Sequence, residues 1–353
     1  MTELFGSLNL EDNDKLILSF KKRIVKINSI FEDYQVFKNK NFNIIYNKNI
    51  IFENEENKII ICVHGKIYNL KNISKTYNIN LKSTLIFLYV KFGVAEMLNK
   101  LNGDFVISIY DKSNQKLYLC RDRFGLRPIY YSFHKGAFLF TSRASWIKEI
   151  NSKIECDTNF IKRFAGYHYR YIDNEPQSSP YKNIYQIPAS NFIEIKFQSM
   201  EYLNKDKVAI NQYWYLEKNT QENYQSDTNL LVERYKDLIF DSVKIRLDET
   251  SNPAFTLSGG MDSSTVIANA VLASGNKQPA FSTVYQDETY DESEEILSML
   301  DKYVSKWYPV EIEKPNLEVE LNKMIEANDE PVATATWLSN FLMCKEIKKL
   351  GFK

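Results

Sequence analysis

Residues 258–264 read Ser-Gly-Gly-Met-Asp-Ser-Ser, and this stretch is the strongest indication of the fold of the C-terminal part of the chain. It follows the short apolar run Pro253–Leu257, which predicts a strand, and precedes a helical pattern from about Ser263 to Ser274. A loop between a strand and a helix presents free backbone N–H groups and the positive end of the helix dipole. Such a loop binds anions, and phosphate groups in particular.

The residue types within the loop suit a nucleotide phosphate. Gly259 and Gly260 lack a Cβ atom, so the backbone can approach phosphate oxygens closely and adopt positive φ. Ser258, Ser263 and Ser264 add hydroxyl donors. Asp262 would repel phosphate unless a cation lay between them, so the sequence predicts Mg²⁺ at Asp262. The alternative is a simple Ser/Gly turn in which Asp262 caps the helix.

Strand-like and helix-like patterns alternate around this loop. Apolar positions at helical spacing between Leu231 and Leu247 predict an amphipathic helix before it. The stretches after the loop are predicted as two strands, Ala280–Tyr285 and Lys306–Ile312, and three helices, Glu292–Tyr303, Leu317–Ala327 and Trp337–Leu350. This alternation predicts a parallel sheet of βαβ units, and hence an α/β domain over residues 230–353.

The first 200 residues have a different, β-rich pattern. Short apolar runs at Asn43–Tyr46, Asn49–Phe52 and Lys58–Val63 are separated by polar residues, as in hairpins. Further predicted elements are a helix at Ser83–Leu98 and strands at Asp104–Ile109, Lys116–Cys120, Ile129–Phe133 and Ala137–Thr141. Together they predict a layered α+β domain over residues 1–204. The polar, aperiodic residues 205–229 are predicted to form a linker.

Composition excludes several classes of protein. The chain has 353 residues, with 45 Lys and Arg against 45 Asp and Glu, so its formal net charge is zero. The chain therefore lacks the excess of positive charge that binding to nucleic acid or to an acidic membrane surface requires. No apolar run approaches the ~18 residues of a membrane helix, and the N-terminus has no signal core. These features predict a cytoplasmic protein that binds neither nucleic acid nor membrane.

Four further sequence motifs, together with SGGMDSS, indicate a protein family. Residues 101–111 read LNGDFVISIYD, and residues 121–131 read RDRFGLRPIYY. SGGMDSS, YDES at 290–293 and DEP at 329–331 follow in that order. The series resembles the asparagine synthetase family, in which a class II glutamine amidotransferase domain precedes an N-type ATP pyrophosphatase domain. The resemblance implies an αββα N-terminal nucleophile hydrolase-like sandwich followed by an α/β nucleotide-binding domain, while RDRFGLRPIYY itself is interpreted as a structural turn.

The N-terminal site departs from the pattern of that family. Members with glutaminase activity carry a cysteine nucleophile at the position of Thr2. The family's Asn-Gly-Glu stretch appears here as His-Gly-Lys at residues 64–66, and the carboxylate that holds the glutamine amino group falls near Leu81. We therefore expect no glutaminase activity, and expect His64 to be a half-buried residue filling the former amide pocket. Thr2 stays a candidate nucleophile because a threonine with a free α-amine can attack an amide.

The resemblance implies a reaction and a set of ligands. A carboxylate substrate would be activated by ATP as an acyl-adenylate and then attacked by ammonia or an amine. Leu257 is expected to pack against the nucleotide, and Thr283, on the next strand, to contact adenine. The predicted pyrophosphate and Mg²⁺ contacts come from the loop, namely Ser258, Gly259, Gly260 and Ser263 for pyrophosphate and Asp262 for Mg²⁺.

Three functions stay open at this point. They are an aspartate-amidating synthetase, a lactam- or macrolactam-forming amide ligase, and a non-catalytic or split subunit. The altered first domain favours the second, because relatives that close lactam rings have likewise lost the cysteine. Family members continue beyond the position of Lys353, which favours the third. We expect either a second polypeptide that supplies the remainder or a truncated copy of such an enzyme. A homo-oligomer is also compatible with the family.

Overall fold

A computed structural model describes most of the chain, namely residues 4–8, 34–38, 42–47, 50–54, 58–167, 175–197, 203–216, 227–285, 293–311, 316–332, 334 and 336–352. The chain divides into two compact units, Met1–Glu217 and Lys218–Lys353. None of the helices in the described ranges combines the length and the apolar character that a bilayer crossing requires.

Strands dominate the first unit. They are β1 (Leu4–Leu8), β2 (Tyr34–Lys38), β3 (Phe42–Asn47), β4 (Ile50–Asn54), β5 (Ile59–Ile67), β6 (Gly103–Asp111), β7 (Lys116–Arg121), β8 (Tyr130–His134), β9 (Ala137–Thr141), β10 (Tyr185–Gln186), β11 (Asn191–Lys196) and β12 (Val208–Gln212). They form two six-stranded sheets, one in the order β10-β8-β9-β1-β3-β2 and one in the order β12-β11-β7-β6-β5-β4. Neighbouring strands in both sheets run antiparallel.

Four helices lie within the described residues of this unit, and three of them cover the outer faces of the two sheets. The helices are α1 (Leu70–Tyr77), α2 (Thr84–Lys100), α3 (Ala144–Ile150) and α4 (Thr158–Tyr167). α1 and α2 share an apolar core with β5 and β6, whereas α3 packs with β1, β3 and β9 on the other sheet. A third core lies between the sheets. This helix–sheet–sheet–helix layering confirms the predicted αββα sandwich.

Strand β1 illustrates how the sequence specifies the layers. Leu4 and Leu8 point into the core between the sheets, while Phe5 points to the helical side, because alternate side chains of a strand face opposite ways. Gly6 lies where the Phe140 ring crosses the strand, and a Cβ atom there would overlap that ring. Any larger residue at position 6 would therefore displace Phe140 from the inter-sheet core.

Two predictions are only partly correct. The runs Asn49–Phe52 and Lys58–Val63 pair as antiparallel neighbours, but Asn43–Tyr46 lies in the other sheet, where β3 stands between β1 and β2. The predicted linker 205–229 contains the boundary between the two units, but it also contains β12, which pairs with β11, and a helix begins at Thr228. β12 escaped detection because it is a sheet-edge strand, where polar residues are common. Only Val208 and Ile210 of this strand reach the apolar core.

The second unit is built on a parallel sheet. Its strands are β13 (Phe255–Thr256), β14 (Gln278–Val284) and β15 (Val304–Glu311), in that spatial order. Its helices are α5 (Thr228–Asp248), α6 (Met261–Ser274), α7 (Ser293–Tyr303), α8 (Leu317–Asn328) and α9 (Thr336–Lys349). α6 connects β13 to β14 and α7 connects β14 to β15, so both connections are βαβ crossovers. The predicted α/β architecture is confirmed.

Candidate functional site

The SGGMDSS loop lies at the carboxyl edge of the parallel sheet. β13 ends at Thr256, and the N–H of Leu257 still donates to the carbonyl of Phe281 on β14, at 2.8 Å. Thr283 lies two residues further along β14 and is half-buried. The structure therefore brings the loop and Thr283 to the same edge. In open α/β sheets this edge is where ligands bind.

The helix that follows the loop has an uncapped N-terminus. α6 begins at Met261, its N-cap is Gly260, and no side chain accepts a capping hydrogen bond there. The N–H groups of Met261, Asp262 and Ser263 belong to the first turn, so they have no intrahelical acceptor. Together with the helix dipole they give the loop the donors and the partial positive charge that an anion requires.

The backbone of the loop corrects two details of the sequence analysis. Gly260 has φ −76° and ψ 154°, and Gly259 is not among the glycines with positive φ, so the expected left-handed conformation is absent at both. A Cβ atom at Gly260 would instead come within 3.3 Å of the Ser258 hydroxyl, a tight contact. Asp262 is exposed in the first turn of α6 and is not the N-cap, so the capping role is wrong.

Ser258 and Ser263 are bonded to each other across the loop. The Ser263 Oγ accepts from the Ser258 N–H at 3.1 Å and lies 3.0 Å from the Ser258 Oγ. It also lies 3.0 Å from the Ser258 carbonyl oxygen and 3.2 Å from that of Gly260. In this structure the Ser263 hydroxyl closes the loop, a function that the sequence analysis did not anticipate.

The side chain of Leu257 points away from the loop. It is buried in the core of the unit with Ile267 and Ala280, which differs from the predicted contact with a nucleotide. Its carbonyl accepts a hydrogen bond from the Ser282 hydroxyl, and that hydroxyl accepts one from the Trp307 indole. Sequence reasoning missed Ser282 and Trp307, because their contact with Leu257 depends on the register of β14 and β15.

Asp262 fits one mode of magnesium binding. The described residues contain no group of three or more His, Cys, Asp or Glu side chains placed to hold a metal ion. Mg²⁺ is commonly held by one or two carboxylates together with substrate phosphates. Asp262 is an exposed carboxylate beside the free N–H groups of α6, so it suits an ion that arrives with a nucleotide.

The described residues of the N-terminal site differ in how far they are buried. Thr2 lies outside the described residues. His64, on β5, is 2% exposed, so the expectation of a half-buried residue is wrong. Burial, together with the positive charge of Arg127, lowers the pKa of His64 to about 3, and its imidazole is neutral near pH 7. Lys66 is exposed, and Leu81 is exposed at the start of a short 3₁₀ turn.

The RDRFGLRPIYY string forms a structural turn, as interpreted from the sequence. The buried guanidinium of Arg121 donates to the carbonyls of Gly125, Arg127 and Ile187. The Asp122 carboxylate accepts from three backbone N–H groups, those of Phe124, Leu126 and Arg127, each at 3.1 Å. Of the other family strings, residues 290–292 lie outside the described residues, and Asp329 ends α8 in a left-handed conformation.

Each of the two units matches a known protein family model. Residues 48–214 match the model of a glutamine amidotransferase domain, and residues 234–353 match the asparagine synthase model. The chain belongs to the asparagine synthetase family. Hereafter Met1–Glu217 is the amidotransferase unit and Lys218–Lys353 the synthetase unit.

Curated relatives carry the name of this family. The glutamine-hydrolyzing asparagine synthetase 2 of Bacillus subtilis is 30% identical over 285 residues, which are 76% of this chain and 35% of that protein. Asparagine synthetase 1 of the same species is 24% identical over 316 residues, 84% of this chain and 45% of that protein. Cricetulus griseus asparagine synthetase is 26% identical over 217 residues, 59% and 35% of the two chains. The chain thus spans about a third to a half of the length of these relatives.

A solved structure also aligns with the chain. It is the glutamine phosphoribosylpyrophosphate amidotransferase of B. subtilis complexed with ADP and GMP, with a TM-score of 0.41 and 8% identity. The alignment covers 96% of this chain and 92% of that one.

Proposed function

We propose that this asparagine synthetase family member is an ATP-dependent amide-forming ligase. The observation that carries the proposal is the SGGMDSS loop, which joins a parallel strand to the uncapped N-terminus of α6 at the ligand-binding edge of the sheet. Asp262 stands exposed beside those free N–H groups. The match of this unit to the asparagine synthase model, and the names of its relatives, support the same reaction class.

The proposed reaction has two steps. An oxygen of the substrate carboxylate attacks the α-phosphorus of ATP, the bond to the bridging oxygen breaks, and pyrophosphate leaves. The nitrogen of ammonia or an amine then attacks the acyl carbon, AMP leaves, and the nitrogen loses a proton. Because AMP replaces hydroxide as the leaving group, amide formation becomes feasible in water.

The residues of the loop have distinct tasks in the first step. The N–H groups at the start of α6 would stabilise the charge that develops on the departing pyrophosphate. Asp262 would hold Mg²⁺, which neutralises that charge when bound. Ser258 and Ser263 keep the loop closed through their mutual hydrogen bonds, and Thr283 lies at the same edge for the adenine.

We also propose that the amidotransferase unit does not hydrolyse glutamine. His64 is buried and neutral near pH 7, and Lys66 and Leu81 occupy positions where the family has carboxylates. A cationic or apolar side chain cannot hold the α-amino group of glutamine as a carboxylate does. The nitrogen would then come from free ammonia or from an amine.

These same replacements favour a second candidate, a lactam- or macrolactam-forming ligase. In that reaction the amine and the activated carboxylate belong to one molecule, so no ammonia from glutamine is required. The loop would have the same part in both reactions. The two candidates differ only in the substrate that follows ATP. Participation of a second polypeptide or of a second copy stays a prediction for either.

An exchange assay tests the proposal and separates the candidates. The full chain is incubated with Mg·ATP, labelled pyrophosphate and aspartate, and the label in ATP is measured, with Mg·ATP binding followed in parallel. Exchange that depends on aspartate would identify an aspartate-amidating synthetase. Binding of Mg·ATP without exchange would exclude aspartate as the substrate and leave two candidates, a ligase of another carboxylate, such as the lactam-forming one, and a non-catalytic or split subunit. Absence of both would contradict the proposal.

A further inference from the structure

A chain of two hydrogen bonds ends at the last residue before the nucleotide loop. The indole Nε1–H of Trp307 donates to the Ser282 Oγ at 3.0 Å. The Ser282 hydroxyl donates in turn to the carbonyl oxygen of Leu257 at 2.6 Å. Ser282 is 2% exposed and Leu257 is 3% exposed, so water has little access to these groups. The Leu257 carbonyl therefore depends on this hydroxyl for its hydrogen bond.

The hydroxyl of Ser282 replaces a bond of the β-ladder. Leu257 donates its N–H to Phe281, and in a continued parallel ladder its carbonyl would accept from the N–H of Thr283. Within the described residues no such backbone bond forms, and β13 ends at Thr256. The side chain of Ser282 satisfies the carbonyl instead. The main chain can then leave the sheet at Ser258 without leaving a buried acceptor unpaired.

Trp307 fixes the direction of that bond. It lies on β15 opposite Ala280, two residues before Ser282, so both side chains share one face of the sheet. An indole N–H can only donate, whereas a serine hydroxyl can both donate and accept. The indole therefore occupies a lone pair of the Ser282 oxygen and leaves its hydrogen for Leu257. Without the indole, the hydroxyl would be freer to rotate among its staggered positions.

We propose that Ser282 and Trp307 are positioning residues of the nucleotide loop. They hold the Leu257 carbonyl, and hence the start of the loop, in the place from which the loop can close onto α6. The inference rests on the proposed function, since it assigns these residues to the binding of ATP. A loop held in its binding conformation before the ligand arrives loses less entropy on binding, and affinity rises accordingly.

Nucleotide affinity and hydrogen exchange together test this inference. Ser282→Ala and Trp307→Phe should each weaken Mg·ATP binding about tenfold, measured by calorimetry on the full chain. Ser282→Thr, which keeps the hydroxyl, should retain most of the affinity. Trp337→Phe is the matched control, because that tryptophan lies partly exposed on α9. Ser298→Ala is the control for a lost hydroxyl, since Ser298 bonds only within α7, to the Glu295 carbonyl.

Hydrogen exchange supplies a readout that needs no nucleotide. In Ser282→Ala and Trp307→Phe, the hydrogen-bonded loop amides of Leu257, Ser258 and Gly260 should exchange faster, while amides of α8 keep their wild-type rates. If wild type binds no Mg·ATP, the proposed function fails, yet a change confined to the loop amides would still show that Ser282 and Trp307 position the loop. Wild-type affinity and exchange in both variants would overturn the inference. So would faster exchange throughout the unit, which is what a purely structural role predicts.

Discussion

The hydroxyl of Ser263 holds the loop closed, a role that the sequence analysis did not predict. It contacts the Ser258 N–H and lies near the carbonyls of Ser258 and Gly260. We predict that Ser263→Ala weakens Mg·ATP binding by about three- to tenfold, because a net hydrogen bond contributes ~1 kcal/mol. Ser264→Ala, the neighbouring hydroxyl on α6, should leave the affinity unchanged. Equal losses in the two variants, measured by calorimetry, would contradict the closing role of Ser263.

His64 makes the stability of the amidotransferase unit depend on pH. Its pKa is about 3 in the folded protein and 6.5 for an ordinary histidine, so the unfolded state binds more protons between these values. Stability is therefore fully present above about pH 6.5 and falls as the pH falls toward 3, by up to ~1.4 kcal/mol per pH unit. Urea unfolding of His64→Gln at pH 7, 6 and 5 should show a shallower decline than wild type. An unchanged slope would contradict the buried, neutral state of His64.

At the scale of elements, the strand–loop–helix connection could be predicted from sequence, because its glycines, serines and flanking apolar runs act locally. The sheet partners of β3 and β4 could not, since an alternating apolar pattern does not say which strand lies alongside. The φ values of Gly259 and Gly260 could not be predicted either, because glycine adopts either sign of φ. The bond from Ser282 to Leu257 spans 25 positions and emerges only from the register of the folded sheet.

β1 offers a test of the packing between the sheets. Because a Cβ atom at Gly6 would overlap the Phe140 ring, Gly6→Ala should lower the free energy of unfolding by ~1–3 kcal/mol. Phe140→Leu in the same chain should recover part of that loss, since a smaller side chain leaves room for the methyl group. A double-mutant cycle by urea unfolding measures the coupling. Strict additivity of the two changes would show that the ring and residue 6 do not meet.

At the scale of the whole molecule, the protein combines a synthetase unit, whose SGGMDSS loop we propose to bind ATP, with an amidotransferase unit whose site departs from the family pattern. We predict that the full chain releases no glutamate from glutamine above a buffer blank, because the family's carboxylates are replaced by Lys66 and Leu81. Thr2→Ala is the matched variant and should be indistinguishable from wild type. Glutamate release that Thr2→Ala abolishes would instead identify Thr2 as a working nucleophile.

Calorimetry with Mg·ATP and with AMP, on wild type and Asp262→Ala, tests whether the SGGMDSS loop binds the metal-bound phosphates of ATP. If Asp262 holds the metal that bridges to pyrophosphate, its loss should weaken Mg·ATP binding roughly tenfold to a hundredfold, corresponding to ~1.5–3 kcal/mol. AMP lacks the pyrophosphate, so its affinity should change little. Met261→Leu, a volume-conserving change at an exposed side chain, serves as the control and should bind as wild type does. Equal affinities of wild type and Asp262→Ala for Mg·ATP would contradict the assignment of this loop.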